Sequence, residues 1–371
     1  YTEEKLDGAI HVDYREKRGL GIGPDLNYHL GKFGDGTIQY YYANDDDPHA
    51  DNSQTNDIPH ERHRINFSHQ TVLRTNLTLK AVANYQSDSM VDHDFFESQY
   101  QANSQPKSFV EVNQNWPNFT LNVLAQPQVN DFQETVERLP DIKLSALRQQ
   151  LGNTPLYYEG ENTVGYYERA FVDNSTNFSA GRFDSFHQIL LPQTYLGWLN
   201  FTPRVGGRFT HYTEADGPGA TTDDKSRGVF STGAEITFKA SRVWAGTQNK
   251  FLDVNGVRHI IQPLVNYVYV PSPSVHSYSS TDMELPQFDY QMQSIRTAPI
   301  DFPEYNSIDS IDAQNVLRFG VGNRFQTKRE NGVDNLLSWS LFTDWRINPG
   351  IDPTSGTNLT EQSTFAPLTS S

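Results

Sequence analysis

The stretch "NGVRHIIQPLVNYVYVP" (255–271) decides the fold class, because it has the pattern of one long β-strand. It opens with an Asn-Gly turn pair and closes at a proline. One set of alternate positions holds Val257, His259, Ile261, Pro263, Val265, Tyr267 and Tyr269; the other holds Arg258, Ile260, Gln262, Leu264, Asn266 and Val268. This alternation indicates a strand, but the run is longer than a usual soluble strand, carries aromatic residues near one end and contains a proline.

Alternation of the same kind recurs from one end of the chain to the other and predicts about 15 strands. Examples are the segments 8–15, 20–30, 62–70, 76–85, 118–126, 195–212, 229–241, 315–327 and 336–346. Helical spacing is nearly confined to "LSALRQQLG" (144–152). For that segment a short helix competes with a strand followed by a Gly-Asn turn, and we favour the strand.

The composition narrows the class of protein. Of the 371 residues only 36% are hydrophobic, yet 12% are aromatic, which suits half-apolar strands better than disorder. A net charge of −16 argues against nucleic acid as a partner. The absence of Cys excludes disulfides and thiolate metal sites within this chain. No apolar run is long enough for a transmembrane helix.

Two all-β architectures fit the alternation: a soluble sandwich and an antiparallel transmembrane β-barrel. Long strands and two long loops, 43–60 and 271–311, favour the barrel, since such loops are typical of one face of an outer-membrane barrel. Aromatic residues near strand ends favour it too, as in an interfacial girdle: Tyr195, Trp198, Tyr212, Tyr267, Tyr269, Trp339 and Trp345. We therefore predict an all-β membrane barrel.

The motifs that resemble catalytic, metal-binding or phosphate-binding patterns are weak. "HERH" (60–63) precedes a strand, where residues three apart point to opposite faces, so we interpret it as a loop end. "GRFDSFH" (181–187) brings Asp184, Ser185 and His187 together without a nucleophile turn. "GLGIG" (19–23) has no following helix to bind a phosphate. We expect no catalytic residues, no metal, no cofactor and no enzyme activity.

Two other features bear on function. Cationic residues fall on the polar strand positions: Arg204, Arg208, Arg258, Arg318, Arg324 and Lys328. One interpretation is that they hydrate a polar lumen; the other is that they contact an anionic, phosphate-bearing cargo or a plug protein.

Prolines fall inside strands at Pro24, Pro203 and Pro263, and each removes a ladder hydrogen bond. They mark either bulges and corners or a barrel that must bend or open sideways.

Several stretches resemble the LptD family of lipopolysaccharide-assembly proteins, also called organic solvent tolerance proteins. They include "RINFSHQTVLRTNLTLKAVANYQSDSMVDHDFF" (64–96), "ERLPDIKLSALRQQLGNTPLYYEGENTVGYYER" (137–169) and "LGWLNFTPRVGGRFTHY" (196–212). "VNGVRHIIQPLVNYVYVP" (254–271) and "DSIDAQNVLRFGVGNRFQTKR" (309–329) follow in the same order. The resemblance extends from about residue 8 to residue 346.

The resemblance implies a translocon in the outer membrane of a Gram-negative bacterium. Such a protein receives lipopolysaccharide from a periplasmic bridge protein and inserts it into the outer leaflet through a lumen and a lateral opening between the first and last strands. A lipoprotein plugs the lumen, and the barrel-assembly machinery inserts the barrel into the lipid bilayer. The resemblance implies that Pro24 weakens this seam, so Pro24, Gly21 and Gly23 are lateral-gate candidates, whereas Pro263 marks a local bend.

The chain also departs from the family pattern. It begins at Tyr1, lacks the N-terminal periplasmic jellyroll and the family's cysteines, and ends in "STFAPLTSS" without a terminal aromatic residue. We therefore expect residues 1–371 to be a barrel domain that is incomplete at its C-terminus. The alternatives are a general or substrate-specific outer-membrane porin and a secreted soluble adhesion or glycan-binding protein.

Overall fold

The computed structural model describes most of the chain. The described residues are 2–3, 5–48, 58–172, 176–251, 253–276, 278–279, 282–289, 308–311, 313–329, 332–347 and 369–370. The fold is all-β and antiparallel, as the alternation predicts. No helix among these residues is both long and apolar enough to cross a membrane.

The first eight strands are β1 (Thr2–Glu3), β2 (Leu6–Arg15), β3 (Gly19–His29), β4 (Asp35–Asn44), β5 (Glu61–Arg74), β6 (Leu77–Gln86), β7 (Phe109–Asn115) and β8 (Phe119–Gln126). The next eight are β9 (Thr135–Gln150), β10 (Tyr157–Ala170), β11 (Phe178–Leu190), β12 (Gln193–Tyr195), β13 (Leu199–Tyr212), β14 (Lys225–Phe238), β15 (Ala240–Asn249) and β16 (Val254–Val270). The last five are β17 (Tyr278–Ser279), β18 (Asp282–Met283), β19 (Gln314–Arg329), β20 (Gly332–Arg346) and β21 (Thr369–Ser370).

Helical segments are short. Two α-helices, α1 (Val91–Phe95) and α2 (Glu97–Ala102), lie between β6 and β7. Single 3₁₀ turns occur at Gly31–Phe33 and Ile308–Ser310. The sequence pattern did not predict α1 and α2, because five and six residues are too few to display a helical period.

The structure decides the assignment of segment 144–152 and changes that of segment 229–241. Residues 144–150 belong to the strand β9, and Gly152 adopts φ 59° in the turn that follows, so the helix alternative is wrong. The expected strand 229–241 is instead two strands, β14 and β15, separated at Lys239.

The chain divides into two compact units, which we describe separately. Unit 1 comprises residues 1–145, 162–183 and 212–223; unit 2 comprises 146–161, 184–211 and 224–371. In unit 1 each strand from β1 to β8 pairs antiparallel with the next. In unit 2 β16 pairs with β14, β15 and β19, and β20 pairs with β19 and β21.

Consecutive connections of an antiparallel meander alternate between its two ends. In unit 1 the short connections 30–34, 75–76 and 116–118 share one end, opposite the turn 16–18 and the longer connections from β4 to β5 and from β6 to β7. In unit 2 the start of β16 and the end of β19 share one end of the sheet, opposite the end of β16 and the start of β19. We call the end that carries 30–34 in unit 1 and the start of β16 in unit 2 the short-turn end.

Alternate residues give each sheet two unlike faces. On one face, which we call the apolar face, large hydrophobic side chains are exposed, for example Ile10 at 73% and Val12 at 64%. The opposite face, the polar face, carries charged residues such as Arg62 and Arg318, both of which are buried. Exposed apolar side chains on a regular strand face are what a lipid-facing surface requires.

Strand prolines interrupt the pairing on one side of the strand. The register of β3 with β4 runs through Ile22 and resumes at Asp25, leaving out Gly23 and Pro24. The register of β3 with β2 is unbroken, and it includes Pro24 opposite Ile10. We call the interruption between β3 and β4 the register gap; it coincides with a residue that has no N–H to donate.

Pro263 stands in a similar interruption in unit 2. The pairs of β16 with β14 end at Leu264, and those with β15 begin at Ile261, so Gln262 and Pro263 have no register partner on that side. On the other side Pro263 pairs with Val321. The partner strand breaks at Lys239, opposite this site, which explains why the alternating segment 229–241 forms two strands.

Candidate functional site

A buried arginine on β5 organises the polar face of unit 1. Arg62 donates to Asp45 at 2.8 Å, to Asp88 at 2.7 Å and to Asp94 at 2.6 Å. Arg18 approaches two of the same carboxylates, at 3.1 Å from Asp45 and 2.9 Å from Asp94. We call these five residues the arginine clamp. Charges this deeply buried are tolerated because each has partners of opposite sign.

The clamp joins distant segments because of how strand positions alternate. Arg62 lies on the polar face of β5, Asp45 directly follows β4, and Asp88 and Asp94 belong to the connection that contains α1. Pairing of β4 with β5 places Asp45 beside Arg62. The carboxylates of the connection then fix α1 against the sheet.

Arg64, two residues along the same face, holds the rest of this connection. Its Nε lies 2.7 Å from Asp92 Oδ1, it donates to Gln99, and its guanidinium lies 4.0 Å from the centroid of the Phe96 ring. Burial raises the pKa of the Asp92 carboxyl, and the nearby Arg64 opposes that shift. The segment 91–102 is therefore attached to β5 by charge and by ring contacts.

Tyr41 provides the apolar part of this attachment. Its ring lies 5.6 Å from that of Phe95 and 5.0 Å from that of Phe96. A Cβ on Gly21 would collide with the Tyr41 ring and hydroxyl, so the glycine leaves room for the tyrosine. Gly21, a lateral-gate candidate, thus has a packing role at this position.

A cavity of about 160 Å³ opens on the polar face beside the register gap. Its lining includes Gly23, Tyr41, Arg64 and Phe96, together with His11 and Asp25. His11 Nε2 lies 2.7 Å from Asp25 Oδ2. The register gap between β3 and β4 therefore borders this cavity, whose lining also includes Gln99 of α2.

The structure brings the three lateral-gate candidates to this one place but on different faces. Gly21 and Gly23 lie on the polar face, whereas Pro24 lies on the apolar face with Leu20 and Ile22. Their role as a gate stays a prediction. The register gap separates β3 from β4, and the hairpin of β2 and β3 remains fully paired.

The six cations predicted for the polar positions fall into two groups. The first group is engaged: Arg318 donates to both carboxylate oxygens of Asp344 at 2.7 and 2.9 Å, and Arg204 donates to Asn266 at 2.7 Å. Arg208 is buried 3.6 Å from Asp184, over the ring of Phe186. These three residues stabilise the sheet in unit 2.

The second group is exposed. Arg258, Arg324 and Lys328 lie near the short-turn end of β16 and β19, and they make no ion pair among the residues that the structure describes. Gln326 stands opposite Arg258, and Ile260 stands opposite Arg324. Gly320 and Gly322 continue the same face of β19 with no side chain. We call Arg258, Arg324 and Lys328 the basic strip.

The weak motifs do not assemble into sites. His60 contacts the Asp45 carbonyl at 2.6 Å, whereas His63 contacts the Tyr40 hydroxyl at 2.8 Å. Ser185 and His187 lie 2.9 Å apart, but Asp184 is on the opposite face and accepts from Thr210 at 2.7 Å. Within the described ranges no group of His, Asp and Glu is arranged to hold a metal ion.

Most of the expected girdle residues have exposed or half-buried rings. Tyr195 and Trp198 are each 51% exposed. Tyr212 is the exception: it is fully buried, so its assignment to a girdle is wrong. It ends β13 at a polar-face position, where a ring packs into the protein instead of facing lipid.

The match to protein families decides the identity of the chain. The family model described as "LptD: LPS transport system D" matches residues 60–362. The chain belongs to the LptD family. It is therefore an outer-membrane protein of lipopolysaccharide transport in a Gram-negative bacterium, and its interaction with lipopolysaccharide follows from the family. The matched range contains β5, Arg62 of the clamp and the whole basic strip.

Comparison with other proteins adds little to the family assignment. No curated protein matches the LptD-family chain. One similar solved structure is a loop-deletion mutant of OmpT, an outer membrane protein of Vibrio cholerae. The two sequences are 9% identical, the match covers 92% of this chain and 91% of that chain, and the TM-score is 0.28. OccAB3 of Acinetobacter baumannii matches with 9% identity, 92% and 90% coverage, and a TM-score of 0.30. Scores at this level carry no argument about function.

Proposed function

We propose that this LptD-family chain is the barrel part of a translocon that inserts lipopolysaccharide into the outer leaflet through a lumen and a lateral opening. The register gap at Gly23 and Pro24, beside a cavity on the polar face, is the observation that supports this mechanism most directly. A sheet that must part in the membrane needs a place where backbone hydrogen bonds are few, because each lost bond is costly in lipid.

The geometry of the gap suggests which part moves. The hairpin of β2 and β3 keeps an unbroken register, so it would move as one body. The weak line lies between β3 and β4, next to Gly23 and Tyr40. Opening at the first strand would then bend the sheet at this line while the hairpin stays intact.

The basic strip supports the proposal that the transported molecule is anionic. Lipopolysaccharide carries phosphate groups, and an arginine guanidinium pairs with phosphate through two parallel N–H donors. Arg258, Arg324 and Lys328 are exposed on the polar face, whereas Arg318 is already occupied by Asp344. The strip would thus bind phosphate along the route through the lumen.

The proposal extends to partners. A lipoprotein would plug the lumen, a periplasmic bridge protein would deliver lipopolysaccharide through an N-terminal jellyroll, and the barrel-assembly machinery would insert the barrel. The chain would carry out transport without chemical change, so it would not be an enzyme. Assignment of residues 1–371 to a single barrel domain is part of the same proposal.

Photo-crosslinking in cells tests the translocon. A crosslinking amino acid replaces Arg258, Arg324 or His11, which lines the cavity beside the register gap, in the full-length protein, and Phe230 or Leu317 on the apolar face serves as the control position. We expect lipopolysaccharide adducts at the first three positions and none at the controls. Normal membrane insertion without lipopolysaccharide adducts at any position would overturn the proposal and favour a porin, for which the same basic strip would select anions.

A further inference from the structure

Aromatic rings form a continuous stack on the apolar face of unit 2 near its short-turn end. The His259 ring lies 4.2 Å from the Phe325 ring with an interplanar angle of 2°, and Phe325 lies 5.7 Å from Trp339 at 12°. His259 Nε2 also lies 3.0 Å from the amide oxygen of Asn323. The stack crosses β16, β19 and β20 and holds the imidazole in a fixed position.

An exposed arginine borders this stack. Arg242 on β15 is the register partner of His259, so both side chains lie on the apolar face. Its guanidinium lies 5.3 Å from the centroid of the Trp244 ring. In the part of the chain that the structure describes, Arg242 has no carboxylate partner. Of the other arginines on β16 and β19, Arg258, Arg318 and Arg324 occupy the polar face, and Arg329 is paired with Asp253 and Asp334.

A cation on the lipid-facing side of a barrel strand restricts where that residue can lie in the membrane. The free-energy cost of such an arginine is largest at the bilayer midplane and falls to almost nothing at the interface. Tryptophan rings concentrate at the same interfaces. Arg242, Trp244 and Trp339 therefore mark the level of the lipid headgroups on the short-turn side, where phosphate is the available anion.

We propose that Arg242, Trp244 and His259 form a headgroup site for an anionic phospholipid on the outside of the sheet. Arg242 would donate two N–H groups to the phosphate, and Trp244 would hold the guanidinium in place by a cation–π contact. Ile261 and Val265, further along the apolar face of β16, would lie against an acyl chain. The positive charge of Arg242 favours an anionic ligand at this position, and it contrasts with the net charge of −16 on the chain.

This site is independent of lipopolysaccharide transport, because it lies on the face opposite the basic strip. Lipid association can be measured on the purified full-length protein in phosphatidylethanolamine bilayers that contain a small fraction of spin-labelled phosphatidylglycerol. The motionally restricted fraction of the label reports binding to the protein. Spin-labelled phosphatidylethanolamine measures association without a net negative charge.

We expect Arg242→Ala to weaken the relative affinity for phosphatidylglycerol about fivefold, the effect of one cation at a membrane surface. Arg258→Ala removes the same charge from the opposite face and should leave that affinity unchanged. Trp244→Leu, which keeps the charge, should produce a smaller loss and serves if Arg242→Ala fails to fold. Equal affinities in wild-type protein and in Arg242→Ala or Trp244→Leu would overturn the site, as would an equal loss in Arg258→Ala.

Discussion

The carbonyl oxygen of Tyr40 occupies the space that a Cβ on Gly23 would need. This contact crosses from β4 to β3 at the register gap, next to Pro24. A glycine is therefore required there by its neighbour, and no special backbone angle is involved. The same contact gives a direct way to perturb the gap.

We expect Gly23→Ala to destabilise the folded protein by about 1–3 kcal/mol, because an added methyl group must push β3 and β4 further apart. Unfolding by urea in detergent, followed by the heat-modifiable gel shift, measures the change. Gly228→Ala is the matched control, since nothing lies within 4 Å of a Cβ at that strand position. Equal stability of the two variants would contradict the steric explanation.

A covalent link between β3 and β4 at the register gap should stop lipopolysaccharide delivery if the β2–β3 hairpin moves relative to β4. Ile22 and Tyr42 are register partners at the edge of the gap, and the chain has no cysteine of its own. An Ile22→Cys and Tyr42→Cys pair can form a disulfide across neighbouring strands. We expect oxidation to abolish the appearance of new lipopolysaccharide at the cell surface and reduction to restore it.

A second cysteine pair separates this effect from general stiffening. Phe67 and Ala83 are register partners on β5 and β6, away from the gap. Their replacement by Cys should leave delivery intact in both redox states. If delivery continues with the Ile22–Tyr42 pair oxidised, movement between β3 and β4 is not needed.

Arg62→Met should be strongly destabilising, by about 3–5 kcal/mol, because it leaves buried carboxylates without their cation. The segment 91–102 should also become accessible to protease. Arg148→Met is the matched control, since the Arg148 side chain is 54% exposed in its pair with Glu159 and loss of the pair should cost about 0–1 kcal/mol. A small effect of Arg62→Met would mean that the clamp does not hold α1.

The Arg318–Asp344 pair allows a double-mutant test. Arg318→Met alone should cost about 3–5 kcal/mol, because Asp344 would remain buried and charged. Combining it with Asp344→Leu should recover most of that loss, since two apolar residues can replace a buried ion pair. Urea unfolding of the four proteins gives the coupling energy, and strict additivity would argue against a direct interaction.

Sequence alternation predicts the strands well because a membrane-facing sheet imposes its period at every position. Segments 20–30 and 315–327 match β3 and β19 to within a few residues. Exceptions arise where a neighbouring strand intervenes. The break at Lys239 depends on Pro263, which is distant in sequence but opposite in the sheet.

The polar face was less predictable, because its contacts join residues far apart in sequence. Asp45, Asp88 and Asp94 resemble ordinary acidic loop residues until strand pairing places them beside Arg62. A usable signal was present: Arg62 and Arg64 occupy polar positions of a strand flanked by acidic connections. Likewise only the register distinguishes Arg318, which has a carboxylate opposite, from Arg324, which has Ser338 opposite.

The arginine clamp has a consequence for the order of folding. Its members come from the β2–β3 turn, the residue after β4, the start of β5 and the connection after β6. Arg62 and Asp94, for example, are 32 residues apart. The clamp can close only after β3, β4, β5 and β6 have paired. Contacts that depend on several earlier pairings form late in folding. Because interactions formed after the transition state mainly affect the unfolding rate, the clamp should slow unfolding of the N-terminal strands.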